Sequence, residues 1–161
     1  MQIIDASGDP WLPEIRALFQ EYWNSFGFTP CFQGFEQEVT NLPGAYAPPS
    51  GRLLIALVDG SAGGCVALRR LDDVRCEAKR LYVRPQFRSE GIGRALMSAI
   101  VREAAAAGYR ELLGHTLPIM DHALALYDRL GFDRTTPGAD NPAPDAIHIR
   151  LDLLHAASVA K

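Results

Sequence analysis

Three features of the sequence predict a single α+β domain built on a mixed sheet. Apolar and β-branched residues mark three strands joined by short turns, at Arg52–Val58, Gly64–Arg70 and Arg75–Val83. A helical pattern over Gly91–Ala107 and a further strand, Arg110–Thr116, then form a β-α-β unit. The 161 residues contain no internal repeat, linker or low-complexity segment, so we expect the helices and strands to share one domain.

The composition excludes several classes of protein. The chain is 48% hydrophobic and 22% charged, which is ordinary for a globular domain. Its net charge of −3 gives no overall basic excess to bind nucleic acid. No apolar run is long enough to span a membrane. Residues 1–10 lack a charged start followed by an apolar core, so we expect no secretory signal.

The placement of cysteine and histidine argues against a disulfide framework and against a metal centre. Cys31, Cys65 and Cys76 are odd in number and widely spaced, which is typical of free thiols in a reducing compartment. We therefore expect a cytoplasmic protein. The four histidines lack metal-ligand spacing, so no metal is predicted, and we interpret His122 and His148 as solvated side chains.

The N-terminal third is predicted to contain a short strand and two helices. Gln2–Asp5 has a strand pattern, and Phe35–Leu42 has the pattern of a short helix. A longer helix, which Gly27 ends, has one apolar face formed by Leu12, Ile15, Phe19, Tyr22, Trp23 and Phe26. Phe28–Gly34 is predicted to be an aromatic loop, and Pro43–Gly51 a loop rich in proline and glycine.

The central elements follow from apolar runs and turn residues. Arg52–Val58 is a nearly continuous apolar run, which predicts a strand buried on both faces. Asp59 and Gly60 form a hairpin turn signal before the return strand. Gly108 suits the left-handed conformation that ends a helix, so we expect the helix over Gly91–Ala107 to stop there.

The C-terminal part is predicted to hold a second helix and two more strands. Pro118 lies at the start of this helix and Gly131 at its end. Four helix residues share one face: Met120, Ala123, Tyr127 and Leu130. Phe132–Thr135 is a predicted strand and Thr136–Asp145 a predicted loop. Apolar and polar residues alternate over 147–153, which indicates a half-exposed strand.

The stretch Leu81–Gly93 joins a strand, a turn and the start of a helix. Pro85 ends the strand, and Gly91 then leads into the helix, so bare backbone amides are presented to an anion. We interpret the turn as a site for the pyrophosphate of a coenzyme. It lacks the third glycine of the dinucleotide fingerprint and the Lys-Ser/Thr pair of a P-loop. A purely structural Gly-x-Gly turn is the alternative.

Two motifs in this order resemble those of one enzyme family. The pattern R-S-E-G-I-G at 88–93, after the strand end L-Y-V at 81–83, resembles motif A of the GNAT superfamily of acyl-CoA-dependent N-acetyltransferases. The pattern A-L-A-L-Y-D-R-L-G-F at 123–132 resembles motif B of the same superfamily. The resemblance implies a GNAT-like fold, a central mixed and mostly antiparallel twisted sheet flanked by helices. We expect one such domain over residues 1–154, and we interpret 155–161 as a flexible tail.

The resemblance also implies that acetyl-CoA is the co-substrate. Its pyrophosphate would be bound by backbone amides of Arg88, Ser89, Glu90, Gly91, Ile92, Gly93 and Arg94. The pantetheine arm would pair with the backbone of Leu81, Tyr82 and Val83 as if it were another strand. A side chain at Gly91 or Gly93 would keep the phosphate away from the amides. Glu90 is unfavourable beside a pyrophosphate unless it points to solvent, and Arg88 and Arg94 would offset it.

Tyr127 is the candidate general acid. It matches the motif B tyrosine that the family is proposed to use to protonate the departing thiolate. A tyrosine with a pKa of about 10 is protonated at neutral pH and can supply a proton to a thiolate with a pKa of about 8.5. The alternative from the residues alone is a core tyrosine on a helix face.

Glu77 is the candidate general base, acting on the amine directly or through water. Its spacing to the glycine turn matches the position at which several members hold a catalytic glutamate. Strict alternation along the strand would place it on the same face as Lys79, Leu81 and Val83. The alternative is a strand carboxylate paired with Lys79 or Arg75.

The sequence departs from the family at one position and leaves the acceptor open. Met120 replaces an asparagine that helps many members to hold the coenzyme. The segment T-L-P-I-M at 116–120 instead resembles a subgroup that has Thr-Leu-Pro-x-Met before this helix. By the resemblance, the first two helices and their loop shape the acceptor site, and the aromatic residues there are Tyr22, Trp23, Phe26, Phe28, Phe32 and Phe35.

The predicted activity is transfer of an acetyl group from acetyl-CoA to a primary amine of a small molecule or peptide. The amine attacks the thioester directly, and a backbone amide near Val83 polarises the carbonyl. We expect no metal, no nucleic acid and no membrane partner, and the resemblance leaves a homodimer open. The first rival is a non-catalytic acyl-CoA-binding or sensing domain on the same fold. The second is a transferase that uses a hydroxyl acceptor or a longer acyl group.

Overall fold

The computed structural model describes residues 1–25, 35–116, 121–135 and 147–154. Within these ranges the strands are β1 (Gln2–Asp5), β2 (Arg52–Val58), β3 (Ser61–Arg70), β4 (Arg75–Val83), β5 (Glu111–Thr116), β6 (Asp133–Thr135) and β7 (Ile147–Asp152). The α-helices are α1 (Leu12–Asn24), α2 (Phe35–Thr40), α3 (Ile92–Ala106) and α4 (Asp121–Arg129). The predicted aromatic loop, the predicted start of α4 at Pro118, the predicted loop after β6 and the predicted tail lie outside the described residues.

The strands form one mixed sheet in the order β1-β2-β3-β4-β5-β7-β6. Every neighbouring pair is antiparallel except β4 and β5, which are parallel because α3 carries the chain across between them. The prediction of a mixed, mostly antiparallel sheet flanked by helices is confirmed. Within the described part of the chain, no helix is both long enough and apolar enough to cross a bilayer.

Each face of the sheet is covered by its own helical layer. One core lies between the sheet and α3, with residues of α4, and the other lies between the sheet and α1 and α2. Strand β2 contributes to both, because Leu54 and Ala56 belong to the first core whereas Leu53 and Ile55 belong to the second. The predicted burial of β2 on both faces is confirmed.

The turn between β2 and β3 is tighter than the sequence predicts. Asp59 and Gly60 both have positive φ, 51° and 83°, as the central residues of a type I′ hairpin do. Val58 therefore pairs directly with Ser61, and β3 begins at Ser61 rather than at the predicted Gly64. The predicted left-handed residue after α3 is also confirmed, since Gly108 has a φ of 95°.

The predicted loop before β2 contains a short helical turn. Gly44–Tyr46 forms one turn of 3₁₀ helix, and the Tyr46 side chain is only 2% exposed. Its ring meets the edge of Phe19 on α1, with ring centroids 6.2 Å apart. This tyrosine fixes the loop against the α1 layer, which the proline and glycine content alone does not indicate.

Strand β4 contains a β-bulge at Arg80. Its φ of 62° is unusual for a residue with a side chain, and the pairing register with β3 shifts there. Lys79 lies opposite Ala67, whereas Tyr82 lies opposite Cys65. Two residues of β4 therefore face one residue of β3 between these pairs, which is the arrangement of a bulge.

The bulge reverses the alternation of side chains along β4. Ala78, Leu81 and Val83 all pack against the α3 core. Glu77 and Lys79 flank Ala78 and point to the opposite face, toward the α1 and α2 layer. The prediction that Glu77 shares a face with Leu81 and Val83 is therefore wrong, because an extra residue lies between them. The prediction that Glu77 shares a face with Lys79 holds, since the bulge comes after both.

Candidate active site

Strands β4 and β5 separate after a short stretch of pairing. Their register covers only three positions, the last of which joins Glu77 to Leu113. Strand β4 continues to Val83 and β5 continues to Thr116, so beyond this point the two strands are not paired with each other. Unpaired N–H and C=O groups at a strand edge can bind an extended ligand as an added strand. The predicted pantetheine segment, 81–83, lies on this edge.

Gly64 on β3 permits the close approach of the bulged part of β4. A Cβ built on Gly64 would lie 2.5 Å from the backbone oxygen of Tyr82 and 3.3 Å from the Cα of Val83. Because both contacts are to backbone atoms, no side-chain rotation relieves them. The sequence predicts Gly64 only as a strand residue, so this role was missed.

The open edge of β4 leads into an uncapped helix N-terminus. Gly91 is the N-cap of α3, with a φ of 80°, and no side chain caps the helix. Ser89 also has positive φ, 69°. Within the described residues, the backbone N–H groups of 89–94 have no intramolecular acceptor. Such amides at a helix start favour an anion, as the sequence predicts for this turn.

The side chains around this turn leave its backbone accessible. Glu90 and Arg94 are exposed, so the Glu90 carboxylate does not point into the protein. Arg88 bends back to β4, where its Nε donates a hydrogen bond of 2.9 Å to the Val83 carbonyl oxygen. A Cβ on Gly93 would make only ordinary contacts, at 3.7 Å to Val83 and 3.8 Å to Leu126 on α4. A methyl group would therefore fit at Gly93, in contact with β4 and α4.

Tyr127 on α4 is 8% exposed and belongs to the α3 core. Its ring packs against Phe132, with centroids 5.5 Å apart. Burial raises the pKa of Tyr127, and the nearby Tyr22 raises it further. Tyr22 lies on α1, so the two tyrosines approach each other from opposite layers of the sheet. The Tyr127 hydroxyl therefore stays protonated at neutral pH. Its ring is buried in the core, as the alternative interpretation of Tyr127 as a core tyrosine also predicts.

Glu77 is held by a cation and a histidine on the neighbouring strands. Its Oε1 accepts a hydrogen bond of 2.7 Å from Arg69 Nε on β3, and its Oε2 lies 3.5 Å from His115 Nδ1 on β5. Burial alone would raise the pKa of this carboxyl. Hydrogen bonding to His115 and the charges of Arg69 and Lys79 outweigh burial and lower the pKa to about 2.

The predicted ion-pair partners of Glu77 are not the ones that the structure shows. Arg75 pairs instead with Asp72 at 2.7 Å in the turn before β4. Lys79 acts on Glu77 through its charge rather than through an ion pair. The actual partners, Arg69 and His115, come from the two strands that flank β4, and a pairing register is needed to find them.

His115 on β5 and His148 on β7 lie side by side on adjacent strands of the sheet. They are register partners, and their ring centroids are 5.8 Å apart. His148 Nε2 is buried and has no hydrogen-bond partner among the described residues. Burial lowers the pKa of His148, and the neighbouring His115 lowers it further. The prediction that His148 is solvated is wrong, while the side chain of His122 lies outside the described residues.

The strands β3, β4, β5 and β7 form a polar face, and the described residues on it include no metal-binding cluster. There, no three His, Cys, Asp or Glu side chains come together in a way that could hold an ion. The polar cluster consists of Arg69, Glu77, Lys79, His115 and His148, which come from β3, β4, β5 and β7.

Two arginines link α1 and α2 to β4 through ion pairs. Arg80, at the bulge, is 8% exposed and donates two hydrogen bonds, of 2.8 and 3.1 Å, to Glu38 on α2. Arg84, just after β4, forms an ion pair of 2.7 Å with Glu21 on α1. Bidentate pairs of this kind fix orientation as well as distance. They hold α1 and α2 beside the polar cluster.

The predicted aromatic acceptor residues are described only in part. Trp23 stacks on Phe35 with centroids 4.1 Å apart, and Tyr22 meets the edge of Tyr82 at 6.0 Å. These four side chains line the α1 side of β4 near the bulge. The other predicted aromatic residues, Phe26, Phe28 and Phe32, lie outside the described residues.

The sequence matches a family model and curated proteins. Residues 49–134 match the model of the acetyltransferase (GNAT) domain. An uncharacterized N-acetyltransferase of Schizosaccharomyces pombe is 36% identical over 144 residues, which cover 88% of each chain. The range that matches the family model, 49–134, contains β2–β5, α3, α4 and both predicted motifs.

The fold matches solved acetyltransferase structures. A GNAT-family acetyltransferase of Staphylococcus aureus superposes with a TM-score of 0.80 at 17% identity, over 94% of this chain and 98% of that one. The structure of yncA from Salmonella typhimurium with its cofactor acetyl-CoA superposes with a TM-score of 0.73 at 18% identity, over 95% and 94% of the two chains. At these identities the similarity concerns the fold.

Proposed function

The chain belongs to the GNAT acetyltransferase family, and we propose that it transfers an acetyl group from acetyl-CoA to a primary amine of a small molecule or peptide. One observation carries this proposal. The unpaired edge of β4 is followed, after a short turn, by the uncapped N-terminus of α3, and Tyr127 belongs to the core that also includes Leu81 and Val83 of β4. This arrangement offers a site for an anion, a site for an extended arm and a site for a thiol, in the order in which the pyrophosphate, pantetheine arm and thiol of a coenzyme follow one another.

The coenzyme would bind mainly through backbone groups. The free amides of residues 89–94 would hold the pyrophosphate, with Arg88 contributing its side chain because its amide already donates to the Pro85 carbonyl oxygen, and the unpaired edge at 81–83 would hydrogen-bond the pantetheine arm. Arg88 and Arg94 are exposed beside the turn and would neutralise phosphate charge. The left-handed conformation of Gly91 and the open space around its Cβ position support this mode of binding.

The transfer itself is a direct displacement at the thioester carbonyl. The amine nitrogen forms the new C–N bond, the C–S bond breaks, and the amine loses a proton. A backbone amide of the open edge, within 81–83, would polarise the carbonyl oxygen. The Tyr127 hydroxyl, which stays protonated at neutral pH, would donate its proton to the departing thiolate.

Glu77 would act on the attacking amine through a water molecule. Its pKa of about 2 makes it a weak base, so it would orient a water that accepts the amine proton rather than keep that proton itself. Arg69 and His115 fix both carboxylate oxygens for this task. The same low pKa also favours the second candidate function, a domain that binds acyl-CoA without turnover.

Two finer assignments accompany this proposal. We propose that the protein acts in the cytoplasm, which the buried free thiols of Cys65 and Cys76 support. We also propose that it belongs to the subgroup with Thr-Leu-Pro-x-Met before motif B. That assignment rests on the sequence at 116–120 alone, because 117–120 lie outside the described residues.

Thermal stability with and without ligand tests the coenzyme site. Acetyl-CoA and CoA should raise the melting temperature of the wild type by mass action, whereas ATP should not. Gly91→Trp should abolish the shift. Gly108→Trp is the matched control, because Gly108 is also exposed, has positive φ and has nothing within 4 Å of its Cβ position.

Thiol release in the presence of amines then tests turnover. Release that depends on both acetyl-CoA and an amine supports acetyl transfer. A coenzyme-dependent stability shift without thiol release for any amine supports the non-catalytic alternative. No shift at millimolar coenzyme contradicts both functions, and the glycine turn is then purely structural.

A further inference from the structure

Lys79 stands out in the polar cluster because no counter-ion pairs with it in the described part of the chain. Its neighbours are paired: Arg69 with Glu77 at 2.7 Å, and Arg80 with Glu38 at 2.8 Å. Among the described residues, the half-buried Lys79 ammonium forms no hydrogen bond and no ion pair. Long charged side chains are rarely buried without a partner.

The surroundings of this ammonium are electropositive. Burial lowers the pKa of Lys79, and the charges of Arg80 and Arg69 lower it further, to about 8. Glu77 and Glu38 act in the opposite direction but only partly offset these effects, since each is already paired with an arginine. With both arginines paired to carboxylates, Lys79 is the unbalanced positive charge here, and an anion placed beside it would offset the burial of its ammonium.

The position of Lys79 points to the acceptor rather than to the coenzyme. Lys79 and Glu77 share one face of β4, and side chains two positions apart on a strand are separated by about 7 Å. The span from Lys79 to Val83 is about 13 Å, and the proposed pyrophosphate site begins beyond that. Leu81 and Val83 also pack toward the other face of the sheet. A phosphate of the coenzyme would thus lie at the wrong end of the strand.

The spacing of the Glu77 and Lys79 side chains along β4 matches the size of a small acceptor. If its amine lies at the water oriented by Glu77, a group a few bonds away lies within reach of the Lys79 ammonium. His115 and His148 border the same face, and the buried, unpartnered Nε2 of His148 adds a further polar group there. The cluster therefore offers one group for an amine and a separate cation for an anion.

We propose, on the premise of the acetyl transfer described above, that Lys79 binds a carboxylate of the acceptor. The acceptor is thus an amine that also carries a carboxylate, as an amino acid does. Lys79 is in this role a specificity-determining residue, and Glu77 remains the group that acts on the amine.

Matched acceptors test this assignment. We would compare thiol release from acetyl-CoA with the twenty amino acids and with the corresponding amino acid amides, which keep the amine and lose the carboxylate. The wild type should prefer at least one acid over its amide by about 10- to 100-fold in kcat/KM, as expected for a charge-assisted contact. Lys79→Gln should remove the preference, and Lys79→Arg should retain part of it. Arg110→Gln, which removes an exposed cation elsewhere, should leave the preference unchanged.

The outcomes separate this inference from the proposed function. Equal rates with acids and amides, or a preference that survives in Lys79→Gln, would overturn the role of Lys79 and leave acetyl transfer intact. If none of these compounds supports thiol release but an amine outside this set does, the role of Lys79 is overturned and acetyl transfer stands. If no amine of any kind supports release, acetyl transfer fails, and the acids and amides are compared by thermal shift in the presence of CoA. Stabilisation by acids but not amides, lost in Lys79→Gln, then supports the anion site, and its absence overturns it.

Discussion

Glu77 on β4 and His115 on β5 lie beside the point at which these two strands separate, with 3.5 Å between Glu77 Oε2 and His115 Nδ1. The last paired position of the strands is Glu77 with Leu113. The contact thus joins the last paired residue of β4 to a residue of β5 two positions beyond the pair. It places the candidate base at the inner end of the gap in which the proposed thioester would lie.

Replacing Glu77 by glutamine should reduce turnover without removing coenzyme binding. Loss of a group that assists proton transfer typically lowers the rate by about 10²- to 10⁴-fold. The stability shift caused by acetyl-CoA should remain, because the proposed coenzyme contacts are made by other residues. Steady-state thiol release and thermal shift measure the two properties separately. Glu111→Gln removes a carboxylate from β5 that pairs with Arg150, and it should leave the rate unchanged. Wild-type turnover in Glu77→Gln would contradict the assignment.

Replacing Tyr127 by phenylalanine should lower kcat while the packing is kept. The ring stays against Phe132, and only the hydroxyl is lost. We expect a decrease of about 10²-fold or more in kcat, which is typical for a general acid. The melting temperature should change little, because the Tyr127 hydroxyl forms no hydrogen bond to a described residue. An unchanged rate would identify Tyr127 as a core residue only.

Replacing Gly64 by alanine should destabilise the protein. Its Cβ would lie 2.5 Å from the Tyr82 carbonyl oxygen, so β3 and β4 must move apart beside the bulge. Forcing extra atoms into a packed site costs about 1–3 kcal/mol. Denaturant unfolding measures this change. Gly8→Ala is the control, because no atom lies within 4 Å of its Cβ position. Equal stability of the two variants would contradict the close approach.

Lys79 should make wild-type stability rise with pH in alkaline solution. Its pKa in the folded protein is about 8, below the ordinary value of 10.5, so between these values the unfolded chain binds more protons than the folded one. The penalty of the buried charge is full below pH 8 and is lost by about pH 10.5. The wild type should therefore gain about 1–3 kcal/mol over this window.

The comparison with Lys79→Met isolates this effect from other alkaline titrations. The methionine variant should be more stable than the wild type at pH 7, and the difference should shrink as the pH rises above 8. Chemical denaturation at a series of pH values measures it. A difference that stays constant with pH would show that the ammonium has an ordinary pKa.

Local sequence patterns predict most of the fold because they reflect local physics. The alternation in β7, the apolar run of β2 and the positive-φ residue Gly108 each follow from a requirement that a few neighbouring residues satisfy. The motif around Gly91 was located for the same reason, since a left-handed N-cap favours glycine.

The arrangement of the polar cluster could not be predicted in this way. Arg80 adopts a positive φ although nothing in its residue type indicates it, and this reverses the faces of the residues that follow. Arg69 and His115 reach Glu77 only because β3, β4 and β5 are adjacent with a particular register. Such contacts depend on which strands become neighbours, and a single sequence does not specify that.

The bulge at Arg80 divides β4 into two halves, in which the alternation of side chains between the two faces of the sheet has opposite phase. The first half directs Glu77 and Lys79 to one side of the sheet, and the second half directs Leu81 and Val83 to the other. A strand without the extra residue would turn Leu81 and Val83 toward the acceptor side and Tyr82 into the α3 core. Because of this one inserted residue, the first half of β4 contributes side chains to the polar cluster and the second half contributes side chains to the α3 core.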